Sequence, residues 1–384
     1  MLSRVRTVGV EEELLVVDPT GVPVPLGPAL LDAAARRGAG ETVEQHDRID
    51  RGRAEPPDGV HLVPELKQEQ VELGTEVCRE LSEVADRLRY WRAEADAAAV
   101  TVGARVAALA TSPVAVDPLP TAGERYARMN EAFGMTAQEQ LTCGCHVHVS
   151  VDGDDEGVAV LDRIRPWLPV LTALASNSPF WNGRDTGYQS FRSQAWNRWP
   201  SAGVNGPYGS PAAYHRLTEA LLATDTLLDE GMVYFDARLS AKWPTVEVRV
   251  ADVCLRVDDA VLLSGLVRGL VETAAAEWRA GEPVPDVRTE VVRVAGWRAG
   301  RSGLTGALVH PVTGRPAPAA EVVRALVAHV RPALEDAGDL PRVEQGVADV
   351  LRRGTGAGHQ RAVFGETGDL TAVVRSAVEV THTA

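Results

Sequence analysis

Lysine is nearly absent: Lys67 and Lys242 are the only two among 39 basic residues, and arginine supplies the rest. A G-x-x-x-x-G-K-[ST] phosphate loop is thereby excluded, because neither lysine sits in such a segment. Cysteine is scarce too. Cys78, Cys143, Cys145 and Cys254 are scattered, which excludes a disulfide framework and fits reduced thiols. No apolar run reaches the length of a membrane span. The opening MLSRVRTVGVEEELLVVD passes from two arginines into an acidic segment without a secretory leader's apolar stretch and cleavage site. The expectation is a cytoplasmic protein with no membrane partner. Positive charge is in deficit as well: 53 acidic residues against 39 basic ones leave a net charge of −14, which argues against nucleic acid as a partner.

What is present is an ordinary globular composition, 45% hydrophobic and 24% charged over 384 residues. There is no repeat and no linker, so residues 1–384 read as a single domain with a large core. Strand-like segments fall at 5–17, 68–73, 100–110, around HVHV at 146–149, at 232–239 and at 245–253. Helical spacing is expected over 27–37, 75–99, 123–133, 156–175 (interrupted by Pro166 and Pro169), 212–228, 259–278 and most of the tail from 286, where RGTGAG at 353–358 marks a turn. Residues 41–63 read as polar, with a turn at Glu55-Pro56-Pro57-Asp58-Gly59. The irregular alternation of strands and helices favours an α+β fold with an antiparallel sheet.

The chemistry lies in the alternation within the strands. Successive side chains of a strand point to opposite faces. In TCGCHVHVSV, residues 142–151, the valines and Cys145 share one face while His146, His148 and Ser150 share the other. The same division recurs: Glu11 and Glu13 oppose Val10 and Glu12; Gln70 and Glu72 oppose Val71 and Leu73. Asp236 and Arg238 oppose Phe235, Ala237 and Leu239; Glu247 and Arg249 oppose Val246, Val248 and Val250. An antiparallel sheet with one solvated face would give this pattern. So would a site, and short carboxylates crowded with imidazoles repel one another unless cations lie between them. Glutamates with one or two histidines are hard donors suited to Mg²⁺ or Mn²⁺. Arginines on the same face imply an anion beside the metals, and metal with arginine is the usual arrangement for a nucleoside triphosphate. The C-x-C-H run is no zinc site on a regular strand, because Cys143 and Cys145 face away from the histidines.

Read together and in order, GVEEEL (9–14), QVEL (70–73) followed by VC (77–78), HVHV (146–149), NSPFWNGRDTGYQSFR (177–192), DAR (236–238), PTVEVRVAD (244–252) and WRAGRSGL (297–304) resemble the bacterial carboxylate–amine ligases of the type-2 glutamate–cysteine ligase family, from Gly9 to about Phe364. The resemblance implies a glutamine-synthetase-like catalytic fold: a curved, mostly antiparallel sheet with helices packed on one face and ATP and metals on the other. It implies Glu11, Glu13, Glu72, His148 and Glu247 as metal-binding, with His146 a ligand or its neighbour. Arg238 and Arg249 would act catalytically on ATP phosphates or an acyl phosphate, while Arg298 and Arg301 either reach the nucleotide or belong to a solvated helix. In the 177–192 loop, Arg184, Asp185, Tyr188 and Arg192, with Trp196 beyond it, are the expected substrate-binding residues. Trp181, Trp196 and Trp199 read more readily as core anchors. The implied cofactors are ATP and Mg²⁺ or Mn²⁺, and the implied partners a glutamate-like carboxylate and a cysteine-like amine; a homodimer is expected only because it is the commonest assembly of soluble chains. Two departures touch the nucleotide side: Arg293-Val294-Ala295-Gly296 before Trp297, and Leu239 after Arg238. They keep open a non-catalytic nucleotide or amino-acid binder, and H-x-H keeps open a metal-dependent hydrolase.

Overall fold

A computed structural model describes residues 5–51 and 61–383. In chain order the strands are β1 Val8–Val17, β2 Leu62–Pro64, β3 Gln70–Gly74, β4 Arg105–Ala107, β5 Gly144–Ser150, β6 Phe180–Trp181, β7 Arg184–Asp185, β8 Ala237–Leu239, β9 Thr245–Asp252, β10 Ala307–Val309 and β11 Pro316–Pro318. Seven of them form one sheet in the order β2-β3-β1-β5-β9-β8, with β4 paired to the far part of β1. Every pairing in it is antiparallel. β6–β7 and β10–β11 are separate two-stranded hairpins. The fold is α+β, as the irregular alternation led one to expect.

The register does the chemical work. Glu13 lies opposite Glu72, Glu11 opposite His146, His148 opposite Glu247, and Arg238 opposite Glu247. One band of charged side chains therefore crosses the sheet from β3 to β8. Valines, leucines and cysteines of the opposite face are buried in one core, against which the helices Leu81–Thr101 and Val257–Arg279 pack. All four cysteines are buried free thiols.

Local differences from the expected elements have local causes. The helix expected from Thr75 begins at Leu81, because Cys78 still pairs with Val8 through two backbone hydrogen bonds of 2.8 Å. It starts with a capping box, in which the Glu83 carboxylate accepts from the backbone N–H of Glu80 (3.1 Å), and runs on to Thr101 before Gly103 turns the chain at φ +79°. The strand expected over 100–110 is therefore only β4. The 41–63 segment holds a helix, Val43–Asp50, signalled by Thr42 and Gln45 as a capping box; the turn expected at 55–59 lies outside the described residues. Pro166 breaks the 154–174 region into two helices, Asp154–Ile164 and Leu168–Leu174, and Pro169 sits at the second helix's start, where it is tolerated. Of 232–239 only β8 is strand; Glu230–Met232 is a 3₁₀ turn. The β10–β11 hairpin was not expected in the helical tail.

Glu12 departs most from the bare pattern. It points with Val10 into the core and is wholly buried there. Arg92, from the helix Leu81–Thr101, meets it with a two-pronged ion pair, both bonds 2.7 Å, and spends its other N–H groups on the carbonyls of Cys254 (2.7 Å) and Leu255 (3.2 Å). A buried pair of this kind contributes little net stability as a unit, but removing one partner leaves a stranded charge. Arg92→Met should lower the unfolding free energy by about 3–5 kcal/mol in urea titration, and adding Glu12→Met should restore most of it. A single variant as stable as the parent would show that the pair carries no such constraint.

Candidate functional site

A cavity of about 640 Å³ lies over the charged band. Its floor contains two groups whose donor atoms lie within 4.8 Å of one another: Glu11, His148 and Glu247 in one, Glu13, Glu65 and Glu72 in the other. The first group is balanced by cations. Arg238 Nε donates to Glu247 (2.7 Å), and Arg249 donates to the other oxygen of the same carboxylate. Arg238 is fixed in turn by the carbonyls of Gly231 (3.2 Å) and Val233 (3.0 Å). His148 Nε2 stands 3.3 Å from Glu11, and its Nδ1 meets Thr245 Oγ1 at 3.0 Å, which orients the ring. Burial would raise both carboxyls of this group, yet His148 and His146 hold Glu11 well below the usual range, and Arg249, Arg238 and His148 bring Glu247 down to about 2.

The second group has less relief. Burial, then the neighbouring carboxylates of Glu11, Glu65 and Glu13, pushes Glu72 well above the usual range. Burial and Glu13 carry Glu65 up to about 7. Glu13 is also raised by burial, although Arg192 and the backbone N–H of Gly144 (2.7 Å) oppose it. Three crowded carboxyl groups in this state either hold protons or hold a cation. His146 lies between the groups, 3.4 Å from Glu11 and 3.9 Å from Glu13, and burial and Arg249 depress it to about 4, so its ring is neutral and available as a donor atom. An oxygen-rich set with neutral imidazole suits Mg²⁺ or Mn²⁺.

The structure thus brings Glu11, Glu13, Glu72, His146, His148, Glu247, Arg238 and Arg249 to one cavity. Arg192 lies just behind its wall: it is 1% exposed, stacks on Trp196 at 5.5 Å, and forms no ion pair among the described residues. Gly144 permits that approach, since a Cβ there would stand 2.3 Å from the Arg192 guanidinium. Arg184, Asp185, Tyr188, Arg298 and Arg301 do not line the cavity. The β6–β7 hairpin turns outward because the backbone of Gln189 and Ser190 docks on Gly300 O (2.9 Å each). Asp185 is then paired with Arg361 (2.7 Å), and Arg301 lies over Tyr188 at 5.6 Å and bonds to Gly187 O. Of the three tryptophans singled out from the sequence, Trp196 and Trp199 line the cavity and Trp181 does not; Trp243 lines it as well.

Glu65, Arg125, Tyr126 and Tyr234 also line it and were not singled out from the sequence. Glu65 had a signal: LVPEL precedes QVEL closely, and the two pair as β2 and β3, with Val63 opposite Glu72. Arg125 had none, since it sits in an unremarkable polar helix and is held by Asp229 (2.7 Å).

Comparison with known proteins gives a consistent result. The family model described as Glutamate-cysteine ligase family 2 matches residues 7–376. A Paenarthrobacter aurescens protein provisionally named glutamate–cysteine ligase 2-1 is 52% identical over 380 residues, covering 98% of this chain and 95% of its own. A Streptomyces coelicolor protein with the provisional name glutamate–cysteine ligase 2 is 49% identical over 380 residues, 99% of this chain and 100% of its own. Among solved structures, a Francisella tularensis glutamate–cysteine ligase in complex with AMP matches with a TM-score of 0.68 at 13% identity, over 99% of this chain and 89% of that one. A bifunctional glutathione synthetase from Pasteurella multocida matches with a TM-score of 0.69 at 15% identity, over 97% of this chain and 52% of that one. At such identities the likeness is one of fold. Among the described residues no helix is long and apolar enough to cross a membrane.

If the crowded carboxylates take a divalent ion, saturating Mg²⁺ or Mn²⁺ should stabilise the protein, by about 2.7 kcal/mol at a hundred times the dissociation constant. Thermal melting with the metal and with EDTA reads this directly. Glu72→Gln should shrink the metal-induced shift, and an equal shift in parent and variant would count against Glu72 as a ligand.

Proposed function

The chain belongs to glutamate–cysteine ligase family 2 and is an ATP-dependent ligase joining a carboxylate to an amine; we propose that the carboxylate is the γ-carboxyl of glutamate, that the amine is cysteine-like, and that the two meet in the cavity over the charged band. The observation that carries this reading is the pair of ligand groups, Glu13–Glu65–Glu72 and Glu11–His148–Glu247, side by side under one cavity with Arg238 and Arg249 against the second.

Mg²⁺ or Mn²⁺ held by these residues would neutralise phosphate oxygens and the charge that spreads over a transferred phosphoryl group. The protein's own groups do the rest. Two guanidinium groups meet at the single Glu247 carboxylate, which holds both beside the place where phosphate would lie. Glu247 keeps both arginines in place before substrate arrives, so little reorganisation is left for the reaction itself. A glutamate γ-carboxylate oxygen attacks the γ-phosphorus of ATP, ADP leaves, and the acyl phosphate forms. The amine then attacks the acyl carbon, expels phosphate and loses a proton, leaving the amide. Positioning and charge neutralisation suffice, and none of the four cysteines, all buried on the core side or below the floor, is required as a nucleophile. Trp196, Tyr126 and Tyr234 wall the cavity with rings that limit water at the acyl phosphate.

ADP release in the presence of Mg²⁺ should require both glutamate and the amine. Glu247→Gln should cut kcat roughly 10²–10³-fold while the circular-dichroism melt stays cooperative, as expected when preset charge at the transferring group is lost. ADP formation that proceeds at full rate in the variant, or without any amine, would overturn the assignment.

A further inference from the structure

Five buried polar atoms of cavity-lining residues have no hydrogen-bond partner among the described residues; three belong to His146, His148 and Arg249 of the floor already described, and the other two to Gln140 and Trp199. Gln140 gives an amide N–H to Thr142 Oγ1 at 2.5 Å, and its Oε1 meets no donor among the described residues. The indole N–H of Trp199 meets no acceptor. Both side chains line the cavity, and the residues are 3% and 2% exposed. They belong to one end of it. The Arg198–Glu139 ion pair (2.6 Å) ties their immediate neighbours together. Trp199 also packs edge-on against Phe133 at 5.2 Å, at the end of the helix that leads into Gln140. Native proteins rarely leave such atoms unsatisfied, and where they do a ligand is a common explanation.

We propose that Gln140 and Trp199 form the subsite that holds the α-amino-acid head of the carboxylate substrate: its ammonium donates to Gln140 Oε1, and one carboxylate oxygen accepts from Trp199 Nε1. The inference rests on the ligase reading and adds to it the class of group recognised away from the reacting atoms. An ammonium only donates and a carboxylate only accepts, so a zwitterion satisfies both orphans at once. A phosphate or a plain dicarboxylate satisfies the indole and turns an anion toward the Gln140 carbonyl. Tyr126, Tyr234 and Met129 line the same cavity and offer ring faces and sulfur to an ammonium group. The head belongs to the carboxylate substrate and not to the amine: an amino acid acting as acceptor uses its own α-amine as nucleophile at the acyl carbon, whereas glutamate reacts through its γ-carboxyl and leaves its head free to be gripped.

The test compares three carboxylates in the ADP-release assay with full-length protein: L-glutamate, glutarate, which lacks the α-amine, and 4-aminobutyrate, which lacks the α-carboxylate. The parent should prefer glutamate to both. Gln140→Leu should raise the KM for glutamate roughly 10- to 100-fold and collapse the preference over glutarate, with the KM for ATP unchanged. Trp199→Phe, which keeps the ring and removes the N–H, should do the same for the preference over 4-aminobutyrate. Gln140→Glu, which keeps an acceptor, should hold the glutamate KM within a few-fold of the parent; this separates recognition from loss of folding. Unchanged preferences in both variants, or equal rises in the KM of every substrate, would overturn the subsite. Should the parent release no ADP with glutamate, the ligase reading fails separately. Calorimetric titration of L-glutamate then decides the subsite: binding weakened roughly tenfold or more in both variants supports it, and no binding to the parent overturns it.

Discussion

Everything in this molecule is arranged around a repulsion. The antiparallel register places Glu13 beside Glu72, and Glu11 two positions along β1 on the same face, while Glu65 enters from the end of β2. Carboxylates packed this closely beneath a partly closed cavity cannot all be ionised without compensation. The protein compensates far more on one side than on the other. Towards β8 and β9, arginines and a histidine hold Glu247 and Glu11 in the charged form; towards β3, the carboxyl groups are left crowded and rise. A site with one half already neutralised and the other waiting for a cation is asymmetric before any ligand enters. That asymmetry suits a reaction in which a phosphoryl group passes from one partner to another across the floor.

The opposite face of the sheet shows how strictly the two surfaces must be kept apart. Valines and cysteines fill the core, and Glu12, a carboxylate that the alternation sends there, is met by a fully buried arginine. Arg192 plays a related part behind the floor. It carries no ion pair, yet it is the largest opposing influence on the raised carboxyls of Glu13, Asp236 and Asp252, which lie on or beside three different strands. One buried charge thus bears on β1, β8 and β9 together.

Much of this was legible in the residues. A two-residue period with acids and imidazoles on one side named the floor residues of β1, β3, β5, β8 and β9 correctly as sharing a face, because the period is a property of the backbone and survives any packing. Register was not legible, and so neither was the grouping of Glu13 with Glu65 apart from Glu11. Arg125 and Tyr126 come from a helix with no mark of function in its sequence. In the NSPFWNGRDTGYQSFR segment, residue type suggested a substrate loop, but direction was decided by docking of Gln189 and Ser190 on a glycine more than a hundred positions later. Arg184, Asp185 and Tyr188 were thereby sent away from the cavity, and Arg192 was placed behind it. Loop direction depends on contacts remote in sequence, and alternation does not encode them. The early start expected for the helix at Leu81 failed for a similar reason: apolar spacing continued back through residues that the edge of β1 had already recruited.

The central strand β1 has a consequence for the order in which the protein is made. It pairs with β3, complete by Gly74, with the short β4, and with β5, which begins at Gly144, while β9 follows only at Thr245. A nascent chain leaving the ribosome therefore carries Glu13, Glu65 and Glu72 long before His148 and Glu247 exist. The acidic half of the floor is synthesised first, with neither Arg192 nor Arg249 yet present to offset it. Until β5 emerges, β1 has an open edge along the residues that β5 later covers, and the ions of the cell offer counter-charge to the acids already made.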